Sequence, residues 1–146
     1  MLKKTCLLTV FLLFLAGSSR ADFLQDFQAA SGKKRKHDYS EAAAAYVKLG
    51  KAQKDAKLAD ICYVYAAEAL AFGKKLEDAL ETAKAIQDPA VREYARMLAY
   101  HSSGRLRQLK EVFKDTDISL WPDEYAYLGY FMRGNALPGA EGFHDL

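Results

Sequence analysis

Short clusters of helix-breaking residues recur along this chain, so any regular element between them must be short. They are Ser31-Gly32 with the basic run behind it, Gly50-Lys51, Gly73, Asp88-Pro89, Ser102-Ser103-Gly104, Trp121-Pro122-Asp123 and Pro138-Gly139. Between them lie segments of roughly 11 to 17 residues, the length of ordinary globular helices. Ala, Leu, Glu, Lys, Gln and Arg dominate these segments, β-branched residues are sparse, and none alternates with period two for long. They therefore read as helices. Connections of about two to five residues force consecutive helices into antiparallel hairpins. The fold class expected is all-α.

Local signals place the boundaries. Asp38 or Ser40 is expected to cap a helix through Leu49, with Gly50 just past its end. Asp55 opens a helix to Phe72, closed by Gly73. Glu77 and Asp78 sit in the next first turn, at the positive end of the dipole. Asp88 caps a helix whose first residue is Pro89, where the missing N–H costs nothing. Asp123 and Glu124 act likewise after Pro122. Apolar stripes at spacings of three and four run through Ala42, Ala45, Tyr46 and Leu49; through Leu76, Ala79, Leu80, Ala83 and Ile86; and through Leu106, Leu109, Val112 and Phe113. The expected pairing is 22–35 with 38–50, 55–72 with 75–87 and 89–102 with 104–115, with 121–134 stacked last.

Residues 1–21 have a different character. Lys3 and Lys4 precede an apolar run from Cys6 to Ala16, and Ser19-Arg20-Ala21 sets small residues at the positions before a cleavage point. This is the pattern of a secretory signal peptide cut after Ala21. An uncleaved anchor is the alternative, although a run of about 11 residues is short of the roughly 20 that span a bilayer. Leu15-Ala16-Gly17-Ser18 carries Ser where lipid attachment would need a Cys thiol. The expected location is exported, periplasmic or secreted, and the expected organisation is 1–21 signal peptide, 22–135 helical domain and 136–146 tail or truncated next unit. Cleavage removes Lys3, Lys4 and Arg20 and no acid, which turns the net charge of +2 into −1. It leaves Cys62, in an apolar stretch, as the single thiol, read as a buried structural one.

Three helix starts resemble one another: His37-Asp38-Tyr39-Ser40-Glu41-Ala42, Gly73 to Ala79, and Gly104 to Leu109. Their core positions Ala42, Ala79 and Leu109 are 37 and 30 residues apart. Asp38 to Tyr46 resembles the start of the second helix of the tetratricopeptide repeat, and Tyr125-Ala126-Tyr127-Leu128-Gly129-Tyr130 resembles its first helix, with a Leu-Gly pair where two helices approach closely. Gly104 sits where that family has its turn glycine, and Gly73 stands one residue early. The resemblance covers roughly residues 22–134, with irregular spacing and the inter-repeat proline only at Pro89. It implies antiparallel helical hairpins stacked as a short solenoid, because one hairpin cannot bury its stripe alone. A compact helical bundle is the alternative architecture. It also implies a peptide-binding groove lined by the first helices of successive units, with Glu68, Phe72, Tyr94, His101, Tyr130 and Arg133 as its candidates.

Signals for chemistry are absent from the sequence pattern. His37, His101 and His144 are far apart, no nucleophile elbow, phosphate loop or H-E-x-x-H occurs, and Asp115-Thr116-Asp117 lacks the rest of a calcium loop. No enzyme activity, metal or cofactor is expected. The expected function is a protein–protein interaction scaffold with a protein or peptide partner and no nucleic acid. The run Lys33-Lys34-Arg35-Lys36 gives the alternative, attachment to anionic lipid or polyanion. A further alternative is a fragment of a longer assembly factor or enzyme, since Pro138 to Leu146 reads like the opening of another helix.

Overall fold

A computed structural model describes residues 20–136. The leader and tail expected at 1–21 and 136–146 lie outside the described residues, except that 20 and 21 belong to the first helix and 136 to the last. Among the described residues the protein is all-helical, with no strand. Helix α1 covers 20–35, α2 Tyr39–Ala52, α3 Ala56–Phe72, α4 Leu76–Ala83, α5 Pro89–Ser102, α6 Leu106–Phe113 and α7 Asp123–Ala136. A single 3₁₀ turn, Ile118–Leu120, lies in the α6–α7 connection. No described helix is long and apolar enough to cross a membrane.

The packing is serial. Helix α2 lies on α3, α3 on α4 and α5, α4 on α5, α5 on α6 and α7, and α6 on α7. Each even-numbered helix thus touches the odd-numbered helix that follows it, and α3, α5 and α7 touch in sequence. The first hairpin meets α3 through small residues: Ala30, Ala42, Ala43, Ala66 and Ala69 surround the buried ring of Tyr46. Further along, the core is built from bulk, with Ile86, Met97, Leu109, Phe113 and Ile118 fully buried beside Trp121.

The three hairpin turns share one backbone design. His37, Lys74 and Gly104 have φ of 67°, 63° and 78°. In each case the next residue donates its N–H back across the turn: Asp38 to the Lys33 carbonyl, Lys75 to that of Leu70, and Arg105 to that of Tyr100. This is the left-handed closure that ends many helices. Four residues beyond Asp38, Lys75 and Arg105 come Ala42, Ala79 and Leu109, whose N–H groups donate to the carbonyls of Asp38, Lys75 and Arg105 and whose side chains are fully buried. The turn signal at Gly73 is displaced by one residue: Gly73 has φ −73° and Lys74 takes the left-handed position. A Cβ disfavours that conformation and glycine does not. Lys74→Gly is therefore expected to raise stability by about 0.5–1 kcal/mol after the added freedom of the unfolded chain is subtracted, and Gly104→Ala to lower it similarly, both read by urea denaturation.

Caps follow from this design. Asp55 and Asp88 accept N–H bonds as expected, from Lys57 at 2.9 Å and Leu58 at 3.4 Å, and from Ala90 at 2.8 Å and Val91 at 3.2 Å. The cap expected from Asp38 or Ser40 does not form, since Asp38 is at the N-cap with no side-chain bond and α2 begins out of the turn itself. Gly50 does not end α2 but lies buried within it, where a Cβ would stand 3.2 Å from the Tyr63 ring of α3. Helix α4 stops at Ala83, short of the expected residue 87. Tertiary bonds end it. Asp60 of α3, buried among apolar residues, accepts from the N–H groups of Gln87 at 2.8 Å and Asp88 at 3.0 Å. The Arg92 guanidinium holds the Ile86 carbonyl at 2.7–2.9 Å. Ile86 reaches the core from this turn, outside the helix.

The Leu128-Gly129 pair also has a different neighbour from the one expected. A Cβ on Gly129 would stand 2.5 Å from the Trp121 ring and 3.0 Å from Ile118, so the glycine makes room for the α6–α7 connection. Asp117 shapes that connection by accepting from the Ser119 N–H at 3.1 Å.

Candidate functional site

The odd-numbered helices present their free face together. Because α5 packs on both α3 and α7, side chains one helical turn apart on the three helices meet in a depression of about 390 Å³. Ile61, Val64, Tyr65 and Glu68 come from α3, Tyr94 and Leu98 from α5, Tyr125 and Leu128 from α7. Counting back from the turn residues gives the register. Ser31, Glu68 and Leu98 each stand six residues before His37, Lys74 and Gly104, and Phe27, Val64 and Tyr94 stand ten before them.

Of the expected groove residues, Glu68 and Tyr94 line this depression. Phe72 lines a second void beside it, about 280 Å³, with Ser31, Lys34, Arg35, Tyr39, Tyr46 and Tyr65. His101, Tyr130 and Arg133 do not line either one. His101 lies by the Phe131 ring, at 6.4 Å between centroids, and burial lowers its pKa. Arg133 donates to the Thr116 carbonyl at 2.9 Å and covers the Tyr130 ring, so both belong to the α6–α7 side. On α7 the groove positions are instead Tyr125 and Leu128. Sequence reasoning missed these, together with Tyr65 and Leu98; only for Tyr65 on α3 is the following left-handed turn residue, Lys74, one that no glycine marks.

Aromatic rings give the surface its character. Tyr94 and Tyr125 approach to 4.7 Å between centroids, and Tyr94 meets Trp121 edge-on at 6.2 Å. Burial pushes the Tyr94 phenol up to about 12, with the Glu68 charge adding to it. Tyr125 is raised by burial and then by Glu124 and Asp60, and Tyr46 by burial against its bond with Ser31. An acid whose folded pKa is raised favours folding fully below its unfolded pKa, near 10, and loses that contribution as pH rises through the folded value. Alkaline titration by tyrosinate absorbance should show a late class near pH 12 that Tyr94→Phe removes.

The basic run is divided by the fold. Lys33 pairs with Glu41 at 2.9 Å, and Lys34 pairs with Glu68. Arg35 and Lys36 have no acidic partner among the described residues. Cys62 is fully buried and burial raises its thiol to about 11, which suits a packing role. The described residues contain no group of three or more His, Cys, Asp or Glu placed to hold a metal ion.

Comparison with protein-family models, with curated proteins and with solved structures finds no match.

Proposed function

We propose that this chain is an exported interaction module that holds a peptide or a partner's surface segment against the odd-helix face, as a short tetratricopeptide-like solenoid, without chemistry of its own. The observation that carries the reading is a depression to which α3, α5 and α7 all contribute, with a lining of tyrosine, aliphatic residues and one carboxylate. Tyrosine supplies apolar area with a polar tip at little entropic cost, which suits it to recognition surfaces. The repeated turn and core positions support stacked hairpins as the scaffold. Export rests on the leader pattern of residues 1–21.

The basic-run alternative has less support, since two of its four cations are already paired with Glu41 and Glu68. The test is affinity capture by the processed chain from its own compartment, in parallel with a Leu98→Glu and Leu128→Glu double variant. A partner retained by the parent and lost by the folded variant is the expected result. Equal retention by both, or no reproducible partner, overturns the reading.

A further inference from the structure

The second void beside the groove contains an unusual arrangement. Lys34 leaves α1 and places its ammonium 5.5 Å from the centre of the Tyr65 ring and 5.4 Å from that of Phe72, while pairing with the Glu68 carboxylate. A cation set against two aromatic rings and a carboxylate is the chemistry that selects an ammonium or guanidinium over a neutral group. The Lys34 and Glu68 side chains are 22% and 20% exposed, so water screens the pair only in part.

We propose that Tyr65, Glu68 and Phe72 form a recognition site for the basic side chain, Lys or Arg, of the partner's segment, and that Lys34 is a tethered occupant which that side chain displaces. The inference rests on the odd-helix face being the interaction surface. Three observations favour a basic occupant. Glu68 is the only charged residue lining the larger depression, so the charge complement there is positive; the void beside it is lined by Lys34 and Arg35, so an incoming basic group must take the place of Lys34 at Glu68 and cannot simply add to it. The rings are held in place, with Tyr39 stacked on Phe72 at 5.9 Å and Tyr46 against Tyr65 at 5.5 Å, yet Tyr65 and Phe72 remain 38% and 40% exposed. The void of about 280 Å³ against the same rings gives a second side chain room to enter while Lys34 swings out to solvent. At the cage itself the exchange is nearly even, one hydrated cation for another. Net affinity then comes from the contacts that flank the basic residue along Tyr94, Leu98 and Tyr125, and Lys34 discriminates against segments that bring only a charge.

The test titrates the full chain with n-butylammonium chloride against sodium chloride at equal ionic strength, reading the aromatic NMR signals of Tyr65 and Phe72. Lys34→Met keeps the stem and vacates the ammonium position. It should bind n-butylammonium at least roughly tenfold more tightly than the parent, and Glu68→Gln added to it should abolish saturation. Neutral n-butanol should not substitute. Absence of saturable binding by folded Lys34→Met, equal binding of n-butanol, or binding that survives Glu68→Gln overturns the proposal. If Lys34→Met does not fold, the parent decides: high n-butylammonium must shift Tyr65, Phe72 and the Lys34 side-chain signals together, and their invariance overturns it. A captured partner segment with no basic residue would remove this inference and leave the groove reading intact. Saturable ammonium binding without any partner would remove the groove reading and, with it, the assignment to a partner's side chain, leaving an ammonium site at Tyr65, Glu68 and Phe72.

Discussion

Trp121→Ala is expected to lower unfolding stability by about 3–5 kcal/mol, a large part of what a domain of this size possesses. The indole is nearly buried, lies edge-on to Tyr94, and fills the space left open by Gly129. Its loss opens a cavity where α5, α7 and the α6–α7 connection meet. The partner prediction has a sign that depends on background. In the parent, Gly129→Ala forces a methyl into the indole and should lose about 1–3 kcal/mol. With Ala at 121 the same change meets no ring, and the better helix propensity of alanine should make it neutral or stabilising by up to about 1 kcal/mol. Urea denaturation of the four proteins gives the coupling directly, expected near 2 kcal/mol. Additive effects of the two substitutions would show that Gly129 is not there for the ring.

Asp60→Ala is expected to lower stability by about 2–4 kcal/mol. The carboxylate satisfies two backbone donors, at Gln87 and Asp88, that no other bond serves. Removing it leaves both without their acceptor in a partly buried turn, at roughly 1–3 kcal/mol each before any water enters. Asp60→Asn keeps one carbonyl oxygen and should lose less. Hydrogen exchange provides a local check: the Gln87 and Asp88 amides should lose protection in Asp60→Ala while the Tyr46 end of the molecule keeps it. Uniform loss of protection would mean that Asp60 acts on global packing instead of on the turn.

These two sites mark where the sequence stops being legible. Hairpins could be read because the segments are rich in strong helix formers and the breakers are short. Asp55, Asp88 and Pro89 could be read because capping is local chemistry. The end of α4 could not, because the residues that stop it are Asp60 and Arg92, one far away in the chain and the other beyond the turn. Asp60 left one trace, an acid inside the apolar stretch Ala59-Asp60-Ile61-Cys62. Gly50 misled for the opposite reason: it serves close approach to Tyr63 and not termination. The groove was half legible. Glu68 and Tyr94 line the depression, whereas on α7 no left-handed turn residue follows among the described residues from which the register could be counted.

The three left-handed turns also act as a ruler for the chain. They are separated by 37 and then 30 residues, yet Ser31, Glu68 and Leu98 hold the same offset before each. The seven-residue shortfall therefore falls in what comes after the turn and before the next offset position, where α2 has 14 residues and α4 only 8. The C-terminal parts of the odd helices keep a fixed offset from the turns, while the even helices and the starts of the odd ones take up the difference in length. Length can be trimmed or added after each turn while Ser31, Glu68 and Leu98 keep their place before it.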